Sequence, residues 1–396
     1  MKKMLAVLLM LAMAMGVFAG CGKKETSGED GGAETKKESG QEEQTATEDD
    51  KKEDGAGVDY SVAMVVAGAL GDKGFNDNAK KGLDSAEEAF GIKTQVVELS
   101  TADKTKYEPT LLDLADSGKY DVIMVAGNAM REVLEKVAVD YPEQKFYLYD
   151  ASVNYDNGDF PNVYCNTFLQ NEASFLAGVV AASMTSSDLP DANEDKIVGN
   201  VILMDMAVMN DFMVGYIEGC QYADPEVRVN TAYVGASDAA KAKDMAISMY
   251  QQKADIVFQV AASSGLGVIE AGKESGKYVI GVDQDQAMVL MDGDPEAAKR
   301  ILTSVLKRTD VAVYRALDMM INDPDSVPWG TCEALGMEEE CVGIAKSDVY
   351  QELVSEEVKA AVEEAESKII SGEIKVGSAY GMETEEITKL RDSVKP

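Results

Sequence analysis

The sequence predicts an α/β protein built from two doubly wound lobes with a ligand cleft between them, on three observations. Near-continuous aliphatic runs of strand length alternate with segments whose apolar residues recur every three or four positions. Strands of that kind, joined by helices, belong to parallel sheets covered on both faces. The alternation falls into two series, one before and one after about Cys165, in a body from about Val58 to Pro396 that is long enough for two lobes.

The first series opens with the strand "YSVAMVVAG". The helix "NDNAKKGLDSAEEAF" follows, with Ala79, Leu83, Ala86 and Phe90 on one face at spacings of three and four. Then come the strands "TQVVELS" and "YDVIMVAG", the helix "AMREVLEKVAVDY" and the strand "KFYLYD". The second series holds the helix "NEASFLAGVVAASM" and the strands "KIVGNVILMD" and "VRVNTAYVG". It continues with the helix "SDAAKAKDMAISMYQQ", the strand "ADIVFQVAA", the helix "SSGLGVIEAGKESG" and the strand "KYVIGVD". Ligands bind such sheets beyond the carboxyl ends of the strands, and a cleft between two facing lobes is the default site. The turns to inspect are Gly68–Phe75, Gly127–Asn128, Asp150, Asp205–Phe212, Gly235–Asp238, Ala261–Gly265 and Asp283–Asp285.

The amino-terminal stretch "MKKMLAVLLMLAMAMGVFAGCG" has the two lysines, short apolar run and small residues of an export signal. Phe18-Ala19-Gly20-Cys21 resembles a lipobox, with phenylalanine where leucine is usual. Residues 1–20 are therefore read as a signal peptide and Cys21 as the lipidated residue, with an ordinary cleaved signal or a single membrane anchor as the alternative. Residues 21–57 are almost free of aliphatic side chains and read as a disordered polar tether on the extracytoplasmic face of the membrane.

A net charge of −34 argues against nucleic acid as a partner. The chain has no histidine, which excludes serine–histidine and cysteine–histidine catalysis and histidine-containing zinc sites. Besides Cys21 there are Cys165, Cys220, Cys332 and Cys341, without a CxxC pair. A Cys332–Cys341 disulfide and buried free thiols are both open.

Three motifs tempt and fail. Gly267 to Gly272-Lys273 imitates a phosphate-binding loop, but Glu274 stands where its hydroxyl residue belongs. Asp283, Asp285, Asp292 and Asp294 lack the order of a calcium loop. Gly68, Gly71 and Gly74 recur every third residue rather than in a dinucleotide pattern, and Asp72 opposes a pyrophosphate. A binding protein without catalytic residues, cofactor or metal is the leading class.

Several blocks carry a resemblance across nearly the whole body: "GDKGFNDNAKKGL", "NEASFLAGVVAA", "ADIVFQVAASSGLGV", "YVIGVDQDQ" and "ILTSVLKRTDVAVY". In order and spacing they resemble the basic membrane lipoproteins of purine-nucleoside receptor type, the lipid-anchored substrate-binding proteins of ABC importers. The resemblance implies a type I periplasmic-binding-protein fold, two Rossmann-like lobes joined by three crossovers. Lobe 1 is expected over 58–165 plus about 304–330, and lobe 2 over 166–303 plus about 331–396. It implies a monomer that delivers a nucleoside-like ligand to permease and ATPase subunits, with another ribose-bearing or sugar-like ligand, or a sensory role without transporter, as alternatives.

By the same resemblance Phe75 stacks on a purine with Asn76 beside it, Asp150 meets the base edge, Asp283 accepts from the ribose hydroxyls and Lys307 donates to the ligand. Asp283 alternatively caps a turn, with Asp285 as the diol ligand; Asp150 is alternatively a turn residue and Lys307 a solvated one. The chain departs from the family at the base end. "VVAGAL" lacks the first-strand aspartate, and Ala236 and Ser237 replace the second stacking aromatic. Ala262-Ser263 replaces a glycine pair, and Asn128 stands where the family often has an aromatic. Phe212 either supplies the missing plate or belongs to a helix core. Asn128, Ser237, Gln259 and Ser263 would make the cleft more polar than a purine sandwich.

Overall fold

The computed structural model describes residues 58–71, 74–101, 103–187 and 189–396; the signal segment, Cys21, the tether and Asp72 lie outside them. Among the described residues no helix is long and apolar enough to cross a membrane.

The chain opens with β1 (Ser61–Ala67), α1 (Phe75–Phe90), β2 (Lys93–Leu99), α2 (Tyr107–Asp116), β3 (Val122–Ala126), α3 (Gly127–Asp140), β4 (Lys145–Tyr149) and β5 (Val163–Phe168). Next come α4 (Gln170–Thr185), β6 (Ile197–Ile202), α5 (Ala207–Ala223), β7 (Arg228–Tyr233), α6 (Ala239–Gln251), β8 (Ala254–Val260), α7 (Gly265–Ser275) and β9 (Tyr278–Asp283). The rest is α8 (Gln286–Met291), α9 (Pro295–Ala298), β10 (Ile301–Lys307), α10 (Thr309–Asn322), β11 (Thr331–Leu335), β12 (Val342–Ile344), α11 (Asp348–Leu353), α12 (Glu356–Ile370) and α13 (Thr384–Ser393).

Two six-stranded sheets result, in the orders β11-β5-β4-β3-β1-β2 and β12-β10-β9-β8-β6-β7. Every pairing is parallel except β10 with β12. Valines, isoleucines and methionines of β1, β3 and β8 are buried, as runs covered on both faces must be. Helix α1 lays Ala79, Leu83 and Ala86 on the first sheet and ends at Gly91, whose φ of 66° is the left-handed turn that closes a helix.

The chain passes between the sheets after β5, after β10 and after β11. This moves two of the expected boundaries. Residues 301–307 lie wholly in the second sheet, because β10 completes its pairing with β9, so the first lobe resumes only with α10. Residues 331–335 stay in the first sheet, where β11 pairs with β5 and covers an otherwise open strand edge. Return to the second lobe therefore falls at 336–341.

The strand orders locate the cleft. In the first sheet succession reverses between β1 and β3, and in the second between β6 and β8. Crevices open at such switch points, outside the carboxyl ends of the strands. The segments that follow these four strands carry Asn76 and Asn128, at the starts of α1 and α3, and Met206 and Ala262.

The motif resembling a phosphate loop is ordinary helix packing. Gly267 and Gly272 lie in α7, and a Cβ on Gly267 would come under 3.0 Å from backbone of Ala239 in α6. Asp285 and Asp294 cap α8 and α9. The cysteines at 165, 220, 332 and 341 are free thiols, and only Cys332 is not fully buried.

Candidate functional site

A cavity of about 310 Å³, within the range of small-molecule sites, lies between the lobes. From the first lobe it takes Ala67, Phe75, Asn76, Ala126, Gly127, Asn128 and Asp150, and from the second Met206, Val208, Met209, Phe212, Ala262, Asp283 and Lys307.

Phe75 is the first residue of α1, and its ring is held from behind. It stacks on Tyr149 with centroids 5.9 Å apart and planes 27° off parallel, and Tyr149 continues to Tyr147 and Tyr164 inside the lobe. Tyr147 Oη donates to Asn166 Oδ1 at 2.6 Å and fixes this column. Asn76 donates through Nδ2 to the carbonyl of Ala69. Gln284 Nε2, from the second lobe, donates to the carbonyl of Gly74 at 2.8 Å and crosses the mouth of the cleft.

Lys307 closes the floor. It ends β10, is 3% exposed, and its Nζ lies 2.5 Å from Asp150 Oδ1. Three rings surround the ammonium: Phe168 at 5.1 Å, Phe212 at 5.7 Å and Phe75 at 5.8 Å. Its carbonyl accepts from Asn78 Nδ2 at 3.1 Å, which ties the end of β10 to α1 of the other lobe. Burial holds the Asp150 carboxyl above its ordinary range, with Lys307 pulling the other way. Asp150 at φ 60° and Asp283 at φ 68° both adopt left-handed backbone, which aspartate takes more readily than most side chains. Ala262, at φ 47°, does the same at the place of the family's glycine.

The structure thus brings Phe75, Asn76, Asn128, Asp150, Phe212, Asp283 and Lys307 into one cavity. Phe212 is buried in α5 near Phe258 and is also part of the lining. Ser263 lines a small adjoining cavity with Phe75 and Asp283. Three residues stand elsewhere. Gln259 is buried, donating to Gln286 Oε1 at 2.8 Å and accepting from the amide of Ala261, so β8 itself uses its polar atoms. Asp285 accepts from the amide of Met288 as a helix cap and lines a separate groove with Met291 and Ser347. Ser237 lies on an exposed loop outside the cavity lining.

Met206, Val208 and Met209 were not legible as site residues, although the stretch Asp205–Phe212 was; apolar side chains after a strand look like helix core. Asp211 was also missed. It is 1% exposed and accepts from Gln170 Nε2 at 2.6 Å, Ser378 Oγ at 2.6 Å and the amide of Ala379 at 2.9 Å, tying α5 to α4 and to the carboxyl-terminal strap. Burial raises its carboxyl above the ordinary 3.8, against those donors and Lys307. A raised carboxyl binds its proton more tightly in the folded state, so it costs stability as pH climbs from the ordinary value through the raised one. Asp211→Asn removes that loss. Its Oδ1 keeps Ser378 and Ala379, and the Gln170 amide can turn to present Oε1, which has no partner. Urea unfolding between pH 4 and pH 7 should show Asp211→Asn gaining on the native chain as pH rises. Asp211→Ala should cost about 1–3 kcal/mol at either pH, because it strands three donors.

Two α/β lobes joined by three crossovers, with a polar-floored cleft between switch points, define a solute-binding protein of type I periplasmic-binding fold. Residues 60–379 match the family of PnrA-like ABC transporter substrate-binding proteins, and the chain belongs to it. It is similar to the CD4+ T-cell-stimulating antigen of Listeria innocua, 31% identical over 84% of this chain and 92% of that one. It is also similar to the ABC transporter nucleoside-binding protein BmpA of Lactococcus lactis, 28% identical over 95% of this chain and 99% of that protein. Among solved structures it resembles an ABC transporter solute-binding protein of Aeropyrum pernix, with a TM-score of 0.70, 28% identity, and coverage of 85% of this chain and 99% of the other. The protein is therefore an extracytoplasmic receptor rather than an enzyme, and its partners are a small-molecule ligand and an ABC transporter.

Proposed function

We propose that the protein captures a nucleoside, preferentially a purine nucleoside, between its lobes and delivers it as a monomer to an ABC importer, while lipid on Cys21 holds it at the membrane. The observation that carries this reading is the make-up of the cleft: the rings of Phe75 and Phe212 share it with the apolar side chains of Met206, Val208 and Met209, and Asp150, Asp283 and Lys307 add charged groups. A bare sugar presents little for such apolar surface to cover.

In this reading the base lies on Phe75, and stacking contributes about 1–3 kcal/mol. Met206 and Met209 supply the second face, a polarisable thioether surface in place of the family's aromatic. Asp283 accepts from both ribose hydroxyls, since a carboxylate has two acceptor oxygens and charge-assisted hydrogen bonds are the strong ones. Asp150, anchored by Lys307, meets the base edge, and Asn76 and Asn128 supply further polar contacts. Closing the lobes buries the ligand. The similarity to the nucleoside-binding protein of Lactococcus lactis supports the ligand class.

The test is a thermal-shift series of the purified chain with nucleosides, nucleobases and pentoses. A ligand present well above its dissociation constant stabilises the fold by a few kcal/mol. Purine nucleosides should raise the melting temperature, and Phe75→Ala should weaken their affinity about 5- to 150-fold, the equivalent of one stacked base. Shifts with pentoses alone would transfer the site to a sugar, and no shift with any of these compounds would remove the nucleoside.

A further inference from the structure

We infer that Cys165 and Cys332 form a dithiol that closes to an intrachain disulfide, a covalent staple between the two first-lobe strands that run into crossovers. The two cysteines are register partners on the adjacent parallel strands β5 and β11. Neighbouring strands lie about 4.8 Å apart, inside the 4.4–6.8 Å that disulfides span between Cα atoms. Both side chains enter the same side of the sheet, where Cys332 packs against the apolar cluster that contains Cys165. Cys332 also sits on the edge strand and is half-buried, so an external reagent can reach it, whereas Cys165 is fully buried.

The environment divides the roles. Hydrogen bonds from the Cys165 thiol, and then from Ser152 and Thr167, hold the Cys332 thiol below its ordinary range. The Cys165 thiol is pushed up, first by its hydrogen bond to Cys332 and then by burial. Cys332, which an external reagent can reach, is the attacking thiolate, and the buried Cys165 is the resolving thiol. The oxidant is a small external disulfide, which the extracytoplasmic compartment permits. The Cys332 thiolate attacks one sulfur of that disulfide, forming a mixed disulfide and releasing one thiolate. Cys165 then gives its proton to the released thiolate, and its sulfur attacks the Cys332 sulfur, expelling the second thiolate. Two electrons pass from the protein dithiol to the reagent, which leaves as two thiols.

The closed link enters no cleft residue. It joins β5 three residues before Phe168 and β11 three residues before Leu335, the last residues of their strands. The loop between residues 165 and 332 takes in most of the second lobe, so closing it restricts the unfolded chain more than the folded one.

The experiment treats the purified chain with oxidised glutathione and maps its peptides without reduction. Trypsin must be followed by a glutamate-specific protease, because residues 316–346 carry both Cys332 and Cys341 and Glu333 separates them. The expected product links Cys165 to Cys332, loses two free thiols and melts several degrees higher. Cys332→Ser, on the exposed edge, should abolish both the link and the shift, and Cys165→Ala should leave Cys332 carrying one glutathione. No link, a link to Cys220 or Cys341, or a glutathione that stays on Cys332 of the native chain would each overturn the inference.

Discussion

Lys307→Met should destabilise the protein by about 3–5 kcal/mol, the cost of breaking a buried ion pair from one side. The ammonium is 3% exposed and 2.5 Å from Asp150, and methionine fills its volume without its charge. The three rings around it lose their cation–π contacts, but the larger loss falls on Asp150, whose carboxylate is left buried among apolar groups. That carboxyl already lies above its ordinary range because of burial, and Lys307 is what holds it down. Removing the lysine raises it further. By linkage, stability then falls as pH rises from the ordinary carboxyl range through the raised value, so the deficit of the variant should be small near pH 4 and full at pH 7. Asp150→Asn in the same chain removes the stranded charge and should recover about half of the loss or more, a coupling that urea unfolding of the four chains in the cycle measures directly. A deficit equal at both pH values, with no recovery in the double variant, would mean that Lys307 acts through packing alone. The pair also explains how a cleft can keep a carboxylate at its base end: the lysine that resembles a ligand donor first holds Asp150 in place.

Most of this architecture was legible because its strands are covered on both faces. Runs such as "YSVAMVVAG" and "ADIVFQVAA" are aliphatic through most of their length, and their helices show a clean spacing of three and four. What was not read as strand has a physical cause in each case. In "VYCNTF" polar residues interrupt the run, and Asn166 is buried because its side chain accepts from Tyr147. In "ILTSVLK" Thr303 donates to the carbonyl of Ala345 and Ser304 accepts from the amide of Gln286, so hydroxyls that suggest a loop are bound inside the sheet. Strand β11 lies at an edge and β12 has three residues, too short for any period to register. The site divides along the same line. Phe75, Asp150 and Asp283 lie in turns that the strand pattern marks, whereas Lys307 entered only through the family resemblance; all four line the cavity. Met206 and Met209 present only apolar surface, and only the switch point between β6 and β8 shows that they belong to the cleft. Gln259 misled because a buried glutamine at the end of a strand looks like a ligand contact, until Gln286 is seen to take its amide.

A comparable stability loss should come from one methyl group between α4 and α5. A Cβ on Gly215 would fall under 3.0 Å from backbone of Asn171, one on Gly219 equally close to Phe175, and one on Gly178 equally close to Tyr216. All the obstacles are backbone, so no rotamer change can make room, and the helices would have to separate. That separation would open the main core of the second lobe, where Phe175, Leu176, Val179, Phe212 and Tyr216 interlock. Alanine is favoured over glycine inside a helix by about 1 kcal/mol, so the observed cost is net of that gain. Overpacking usually costs about 1–3 kcal/mol, and with immovable backbone on the other side Gly219→Ala should reach about 3 kcal/mol or exceed it. Gly293→Ala is the matched control, with open space around the added methyl and no left-handed backbone; it should be neutral or gain about 0.4–1 kcal/mol. Thermal or urea unfolding of the two variants separates a steric crossing from a general dislike of alanine, and a Gly219→Ala chain that melts with the native one would show that the helices do not approach so closely. The consequence reaches the cleft. Helix α5 carries Met209, Asp211 and Phe212 in its first turns, so the contact that lets it lie against α4 also sets the position of the wall opposite Phe75, and Gly215→Ala should lose ligand-induced stabilisation even at temperatures where the variant remains folded.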